Sequence, residues 1–242
     1  MKFLILLLII CSCNQTGTSS LSSNTSFVTN EAGVSLSLSS GVYQYSDNTY
    51  EKNCLGYFDS SLYTSQGSSV YRIDPYDNGS TLDVYCDMEL EGGGWTLLLY
   101  HDTDKGVFSS KNEARLFNEA DPTNTGRYSI LTHMDAIRSV ASFEFYTSWP
   151  TPGGCNPNFH HWTQLSNPMA SNETVSGFSR IGGNTNNVNG TAGLCLSSSG
   201  STLLDGNCGH SNWWYAIGQR TIYQGGIPAC GSIETKIRLY IR

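Results

Sequence analysis

Histidine and cysteine are among the side chains of this sequence that could do chemistry, five of one and eight of the other in 242 residues. Two histidine settings could be drawn as acid–base or metal groups: His101 with Asp102 and Asp104, and His160 with His161 and Trp162. Neither has the spacing such work needs. Adjacent residues on a strand point to opposite faces, so His160 and His161 do not share one ion; ligand pairs stand at i, i+2 on a strand or i, i+4 on a helix. No Gly-x-Ser-x-Gly, His-Glu-x-x-His or phosphate-loop pattern occurs. The histidines read as lone core or surface groups, and the chain as no enzyme.

The cysteines point to a compartment. Eight thiols behind an apolar N-terminus suit an oxidising space, since the cytosol keeps thiols reduced. Lys2 and the apolar residues 3–10 form the charged and hydrophobic regions of an export signal, far short of the roughly 20 residues a membrane-crossing helix needs. Ile10, Cys11, Ser12, Cys13 resembles a bacterial lipobox, which implies a signal peptide over residues 1–12, a lipid on Cys13 and a surface-tethered protein whose membrane contact is that lipid. The alternative is secretion after cleavage at Cys13, because Cys11 and Cys13 also satisfy the small-x-small rule. Sequons at Asn14, Asn24, Asn78, Asn172 and Asn189 do not decide between the two.

These groups need elements to position them. Residues 13–50 are dominated by Ser, Thr, Asn and Gly and lack the apolar area to offset chain entropy, so a flexible tether is expected, with an edge strand over 33–45 as the alternative. Residues 51–242 are the right size for one domain with one core. A formal charge of −7, with 20 acidic against 13 basic residues and no Lys/Arg cluster, leaves no electrostatic footprint for nucleic acid. Aromatic content of 12% with 25 glycines predicts a loop-rich, β-dominated α+β domain, its short helices at 113–118 and 134–140. Two β-rich runs, 81–86 and 95–100, flank Gly92, Gly93 and Gly94; three glycines supply positive φ or close backbone approach, so a hairpin or bulge anchored by a buried Trp95 is expected. Residues 236–242 alternate polar and apolar and predict a last strand with one buried face.

Tyr85, Cys86, Asp87, Met88 followed by Gly92, Gly93, Gly94, Trp95, Thr96 resembles the YCDM…GGGWT signature of fibrinogen C-terminal-like domains. Gly67, Val70, Tyr71, Ile73 and Pro75 resemble that family's preceding strand, and Lys236 with Arg238 its closing one. The resemblance implies an α+β fold with a twisted, mainly antiparallel sheet, short helices and long disulfide-pinned loops. It also implies a first bridge, Cys54 with Cys86, and a second, Cys195 with Cys208, 13 residues apart, which leaves Cys155 with Cys230 as an extra bridge. A rival register would pair Cys208 with Cys230 around Trp213 and Trp214, moving the calcium loop to 199–206; the first is preferred for its spacing, Gly193 and the His-Ser-Asn order.

In the first register the family's calcium loop falls on Asn187, Asn189, Thr191 and Gly193. Asparagine offers a carbonyl oxygen but no charge, so any calcium binding is expected to be weak, and an Asn/Gly turn is the alternative. Asn207, Cys208, Gly209, His210, Ser211, Asn212 then resembles the segment that holds acetyl groups of sugars in lectin-like members, with Gly209 inserted. Cys208, His210 and Asn212 would supply hydrogen bonds, and Trp213 or Tyr215 a flat face for a sugar, or else the aromatics fill the core. The expected function is an exported, non-catalytic recognition module for glycans or acetylated groups; the alternative is an adhesive domain for a surface protein, its sugar pocket vestigial.

Overall fold

Ser40 and Gly41 both sit at positive φ, 52° and 83°, and close a two-residue hairpin between β1 (Leu36–Ser39) and β2 (Val42–Tyr45). Such a pair matches the right-handed twist of the flanking strands. The computed structural model describes residues 33–60, 62, 66–151, 156–170, 174–183, 193–206, 208 and 215–242. β2 runs parallel to β3 (Ser69–Ile73), with Tyr43 opposite Tyr71. Residues 33–50 therefore depart from the tether expected over 13–50, and the reason is aromatic packing. The ring centroids of Tyr43 and Tyr71 are 5.3 Å apart, those of Tyr45 and Tyr57 4.9 Å, and those of Tyr57 and Tyr71 5.2 Å. Tyr45 also donates its hydroxyl to Glu51 Oε1 at 2.7 Å. A Ser-rich composition conceals these few tyrosines, whose partners lie outside the segment. Residues 1–12 and 13–32, with Cys13, lie outside the described residues.

Asn53 caps α1 (Cys54–Asp59), accepting from Gly56 N at 3.0 Å while its amide donates to Ile137 O at 2.7 Å. β3 pairs antiparallel with β4 (Leu82–Asp87), which returns through a 3-10 turn at Leu90–Gly92 into β5 (Trp95–Asp102). Gly93, at φ 76° and ψ 179°, occupies backbone that is essentially reserved for glycine. A Cβ there would lie 2.1 Å from Phe58 Cε2 and 2.6 Å from the Met88 carbonyl oxygen. Trp95 is fully buried, as the tri-glycine pattern predicts. Cys54 and Cys86 are bridged with Cα atoms 5.4 Å apart, which ties α1 to β4.

Next come α2 (Lys111–Arg115), β6 (Arg127–Ser129), α3 (Met134–Ile137), β7 (Phe143–Ser148), β8 (Phe159–Gln164) and β9 (Ser179–Gly183). Both helices expected from sequence, α2 and α3, are shorter than their patterns. Capped by Ser110, α2 begins two residues before the expected start at 113, and Leu116 is already extended. Short strands β10 (Cys195–Leu196), β11 (Leu204–Asp205) and β12 (Ala216–Ile217) form one small sheet, and β13 (Ile227–Ala229) with β14 (Ser232–Glu234) another.

The chain closes in β15 (Lys236–Ile241), inserted between β5 and β7. Among the described residues the main sheet runs β1-β2-β3-β4-β5-β15-β7-β8-β9 with β6 on β5, and every pairing but β2 with β3 is antiparallel. Ile237, Leu239 and Ile241 form the buried face expected of β15; on the other face Lys236 is half-buried and Arg238 exposed, and Tyr240 is buried as well. Arg242 beyond it stacks 4.6 Å from the Trp95 ring and contacts Glu144 Oε1 at 2.6 Å, while His161 Nε2 reaches the same oxygen at 2.8 Å. Burial pushes the Glu144 carboxyl up, but hydrogen bonds and charge from His161 and Arg242 more than offset this and hold it at about 2.

Candidate functional site

The region singled out by sequence lies on β10, β11 and β12, where Cys195 pairs with Asp205 and Asp205 with Ala216. Cys195 is bridged to Cys208, their Cα atoms 5.9 Å apart. That bridge settles the register: Cys208 does not pair with Cys230. Cys230 is itself disulfide-bonded, and its expected partner Cys155 lies outside the described residues. Cys208 Sγ packs 3.4 Å from the Asp205 carbonyl oxygen and 3.7 Å from that of Gly193, contacts without a proton because a disulfide sulfur carries none.

One buried amide positions this loop, and no sequence pattern marks it. Gln164 at the end of β8 is fully buried. Its Oε1 accepts from Leu194 N at 2.9 Å and from Trp162 Nε1 at 3.0 Å, and its Nε2 donates to Leu194 O at 2.9 Å and Ser166 O at 2.8 Å. The segment entering Cys195 is thus clamped to the main sheet. Gly193 has φ 86°, and a Cβ on it would meet Gln164 Oε1 at 2.5 Å.

Tyr215 is placed in the core and not on an open ligand face. It is 1% exposed, with its ring centroid 5.7 Å from that of His160 and 5.9 Å from that of Trp162. A Cβ on Gly206 would lie 2.4 Å from the Tyr215 ring, so the ring lies flat against that backbone. Burial pushes its phenol pKa up. Here the packing alternative prevails over sugar stacking. His210, Asn212 and Trp213 lie outside the described residues, as do Trp214 and the calcium-register residues Asn187, Asn189 and Thr191. Of that register Gly193 is described, and one backbone carbonyl is not a calcium donor set; among the described residues no group of three His, Cys, Asp or Glu could hold a metal.

The histidine settings are structural. His101 is fully buried, donates Nε2–H to Gly106 O at 3.1 Å and packs on Phe108, and burial lowers its pKa to about 4. Asp102 instead accepts from Asp104 N at 3.0 Å and faces Lys236 at 3.5 Å, so no acid–base pair forms. His160 and His161 leave opposite faces of β8 as their adjacency predicts: His160 meets Trp149 and Tyr215, while His161 meets Glu144 and Trp95. Burial, with the positive charge of Arg180, lowers the His160 pKa to about 4.

Residues 50–114, which contain the first bridge, the tri-glycine turn and Trp95, match the C-terminal globular domain of fibrinogen beta and gamma chains. Over these residues the chain is similar to a fibrinogen C-terminal-like domain. Human fibroleukin is 43% identical over 47 residues, 19% of this chain, and the chain spans 10% of fibroleukin's length. Similar solved structures include the fibrinogen-like globe domain of human ANGPTL2, at 16% identity and a TM-score of 0.48 over 79% of this chain and 98% of that one. Another is lamprey fibrin D-dimer complexed with the peptide Gly-His-Arg-Pro-amide, at 13% identity and a TM-score of 0.47 over 84% of this chain and 74% of that one. The two disulfides, Cys54–Cys86 and Cys195–Cys208, suit an oxidising compartment.

Proposed function

We propose that this fibrinogen-like domain is a non-catalytic recognition module, exported behind a signal over residues 1–12 and held at the cell surface by a lipid on Cys13, that binds glycans or acetylated groups. The observation that carries the reading is the Cys195–Cys208 bridge, which fixes the chain two residues before His210 against a packed floor of Gly206 and Tyr215. A loop leaving a rigid floor needs less ordering on binding. Calcium at Asn187, Asn189, Thr191 and Gly193 is proposed to bind weakly, since asparagine adds no charge. The burial of Tyr215 favours a second reading, an adhesive domain for a surface protein that has lost its sugar pocket.

Titrating the isotopically labelled full chain with N-acetylglucosamine, with and without calcium, tests the first reading. Amide resonances of residues 207–215 should move at millimolar sugar, and His210→Ala should cost about 1–3 kcal/mol of binding. Unmoved resonances transfer the assignment to the adhesive reading.

A further inference from the structure

A separate cleft of about 390 Å³ opens on the main sheet between β4, β5 and β15 and the loop at 122–125. It exists because of a bulge. Arg238 pairs with Tyr100, Leu239 with Leu99 and Tyr240 with Leu97, so β5 carries one more residue, Leu98, than β15 opposite it. The extra residue shifts the side-chain alternation of β5, and Leu97 and Tyr100, three apart, come to the same face as Arg238 and Tyr240, two apart. Tyr85 and Asp87 of β4 complete the floor. Tyr240 pairs with Tyr146, which pairs with His161, whereas Tyr215 packs on His160 and Trp162. The cleft is therefore on the face opposite the Cys195–Cys208 loop.

Its charges are unequally engaged. Asp87 Oδ1 accepts from Leu90 N at 2.9 Å, Glu89 N at 3.2 Å and Ser68 Oγ at 3.3 Å, so this carboxylate holds the turn beside it. The exposed guanidinium of Arg238 stacks 5.0 Å from the Tyr100 ring and has no ion pair or side-chain hydrogen bond among the described residues. The far rim is stiff: Asn124 Oδ1 accepts from Gly126 N at 2.9 Å and Arg127 N at 3.0 Å, with Thr123 and Thr125 exposed beside it. Aromatic rings suit the flat C–H face of a sugar, and a free guanidinium presents a fork that matches a carboxylate or sulfate. The volume is at the lower end of the roughly 300–1,000 Å³ of small-ligand sites.

We propose that this cleft is a second ligand site that takes a sugar residue bearing a carboxylate or sulfate, its ring against the half-buried Tyr85 above a floor that includes the buried Tyr100 and Tyr240, and its anionic group on Arg238. It does not rest on the acetyl-group reading. The test is side-chain NMR of the full chain titrated with glucuronic acid, glucose 6-sulfate, glucose and inorganic sulfate. The acidic sugars should move the ring resonances of the three tyrosines and the Arg238 Nε–H, with glucose about tenfold weaker or more, the loss for one charged hydrogen-bonded contact, and inorganic sulfate weaker because it lacks the ring that meets the tyrosines. Arg238→Gln, at an exposed position, should fold and should erase the preference over glucose. The proposal is overturned if neither acidic sugar moves the cleft, if sulfate alone binds as well, or if Arg238→Gln leaves the preference intact. Shifts from N-acetylglucosamine at 207–215 bear on the other site alone, so the two readings fail separately.

Discussion

Replacing Gln164 with methionine should be among the most damaging single changes available to this domain. The side chain keeps roughly its volume, but four hydrogen bonds vanish, and the Leu194 N–H, the Leu194 C=O and the Trp162 indole N–H lose their Gln164 partner. Leu194 is 0% exposed and Trp162 1%, so water does not replace the lost partner. A buried polar group left unsatisfied costs about 1–3 kcal/mol, and three of them, allowing for relaxation around the thioether, cost about 3–6 kcal/mol. That is a large part of the roughly 5–15 kcal/mol a domain has in total. Urea unfolding of the disulfide-intact chain should show the midpoint falling by that loss divided by an unchanged m-value. Gln164→Glu keeps both accepting contacts but not the donated ones, and should be partly rescued by acid, because a protonated carboxyl can donate again. A loss below about 1 kcal/mol in Gln164→Met, or no rescue of Gln164→Glu, refutes the claim that this amide clamps the loop.

Gly93→Ala should cost about 2–4 kcal/mol, since it adds glycine-only backbone strain to a clash with the Met88 carbonyl and the Phe58 ring; a melting temperature equal to wild type would contradict the turn geometry. Stability should fall as pH drops from 6.5 to about 4, because the unfolded chain takes up protons at His101 and His160 that the folded chain excludes, about 2–3 kcal/mol for each. Folded-state histidine titrations near 6.5 would remove that step. A second loss follows as pH falls from 4.5 through about 2 and Glu144 takes up its proton; Glu144→Gln should abolish this acid step and leave the histidine step in place. Nonreducing peptide mapping should recover Cys54 linked to Cys86 and Cys195 linked to Cys208, and Cys54→Ser should cost about 2–4 kcal/mol in urea. A Cys208–Cys230 peptide would reverse the register.

Features that depend on a few neighbouring residues were legible in the chain. Three glycines before Trp95 dictate a turn at positive φ with a buried anchor, because backbone sterics act locally. Adjacent histidines on a strand had to face apart. The bridges were legible through family resemblance, since six cysteines alone leave 15 pairings open. What the tertiary structure alone decided is which surfaces become covered. Residues 36–45 are a strand pair and not a tether because Tyr57 and Tyr71, distant in sequence, stack on Tyr43 and Tyr45. Tyr215, which looks like a sugar platform beside Trp213 and Trp214, is core because Gly206, His160 and Trp162 close over it. Gln164 carries no motif, and its role appears when β8 reaches Leu194. The tyrosine and arginine cleft depends on one extra residue in β5, visible against the pairing of β15 and not within either strand. Local sterics and periodicity set what a segment can form, but burial is a property of pairs of segments, and most of those pairs are far apart in the chain.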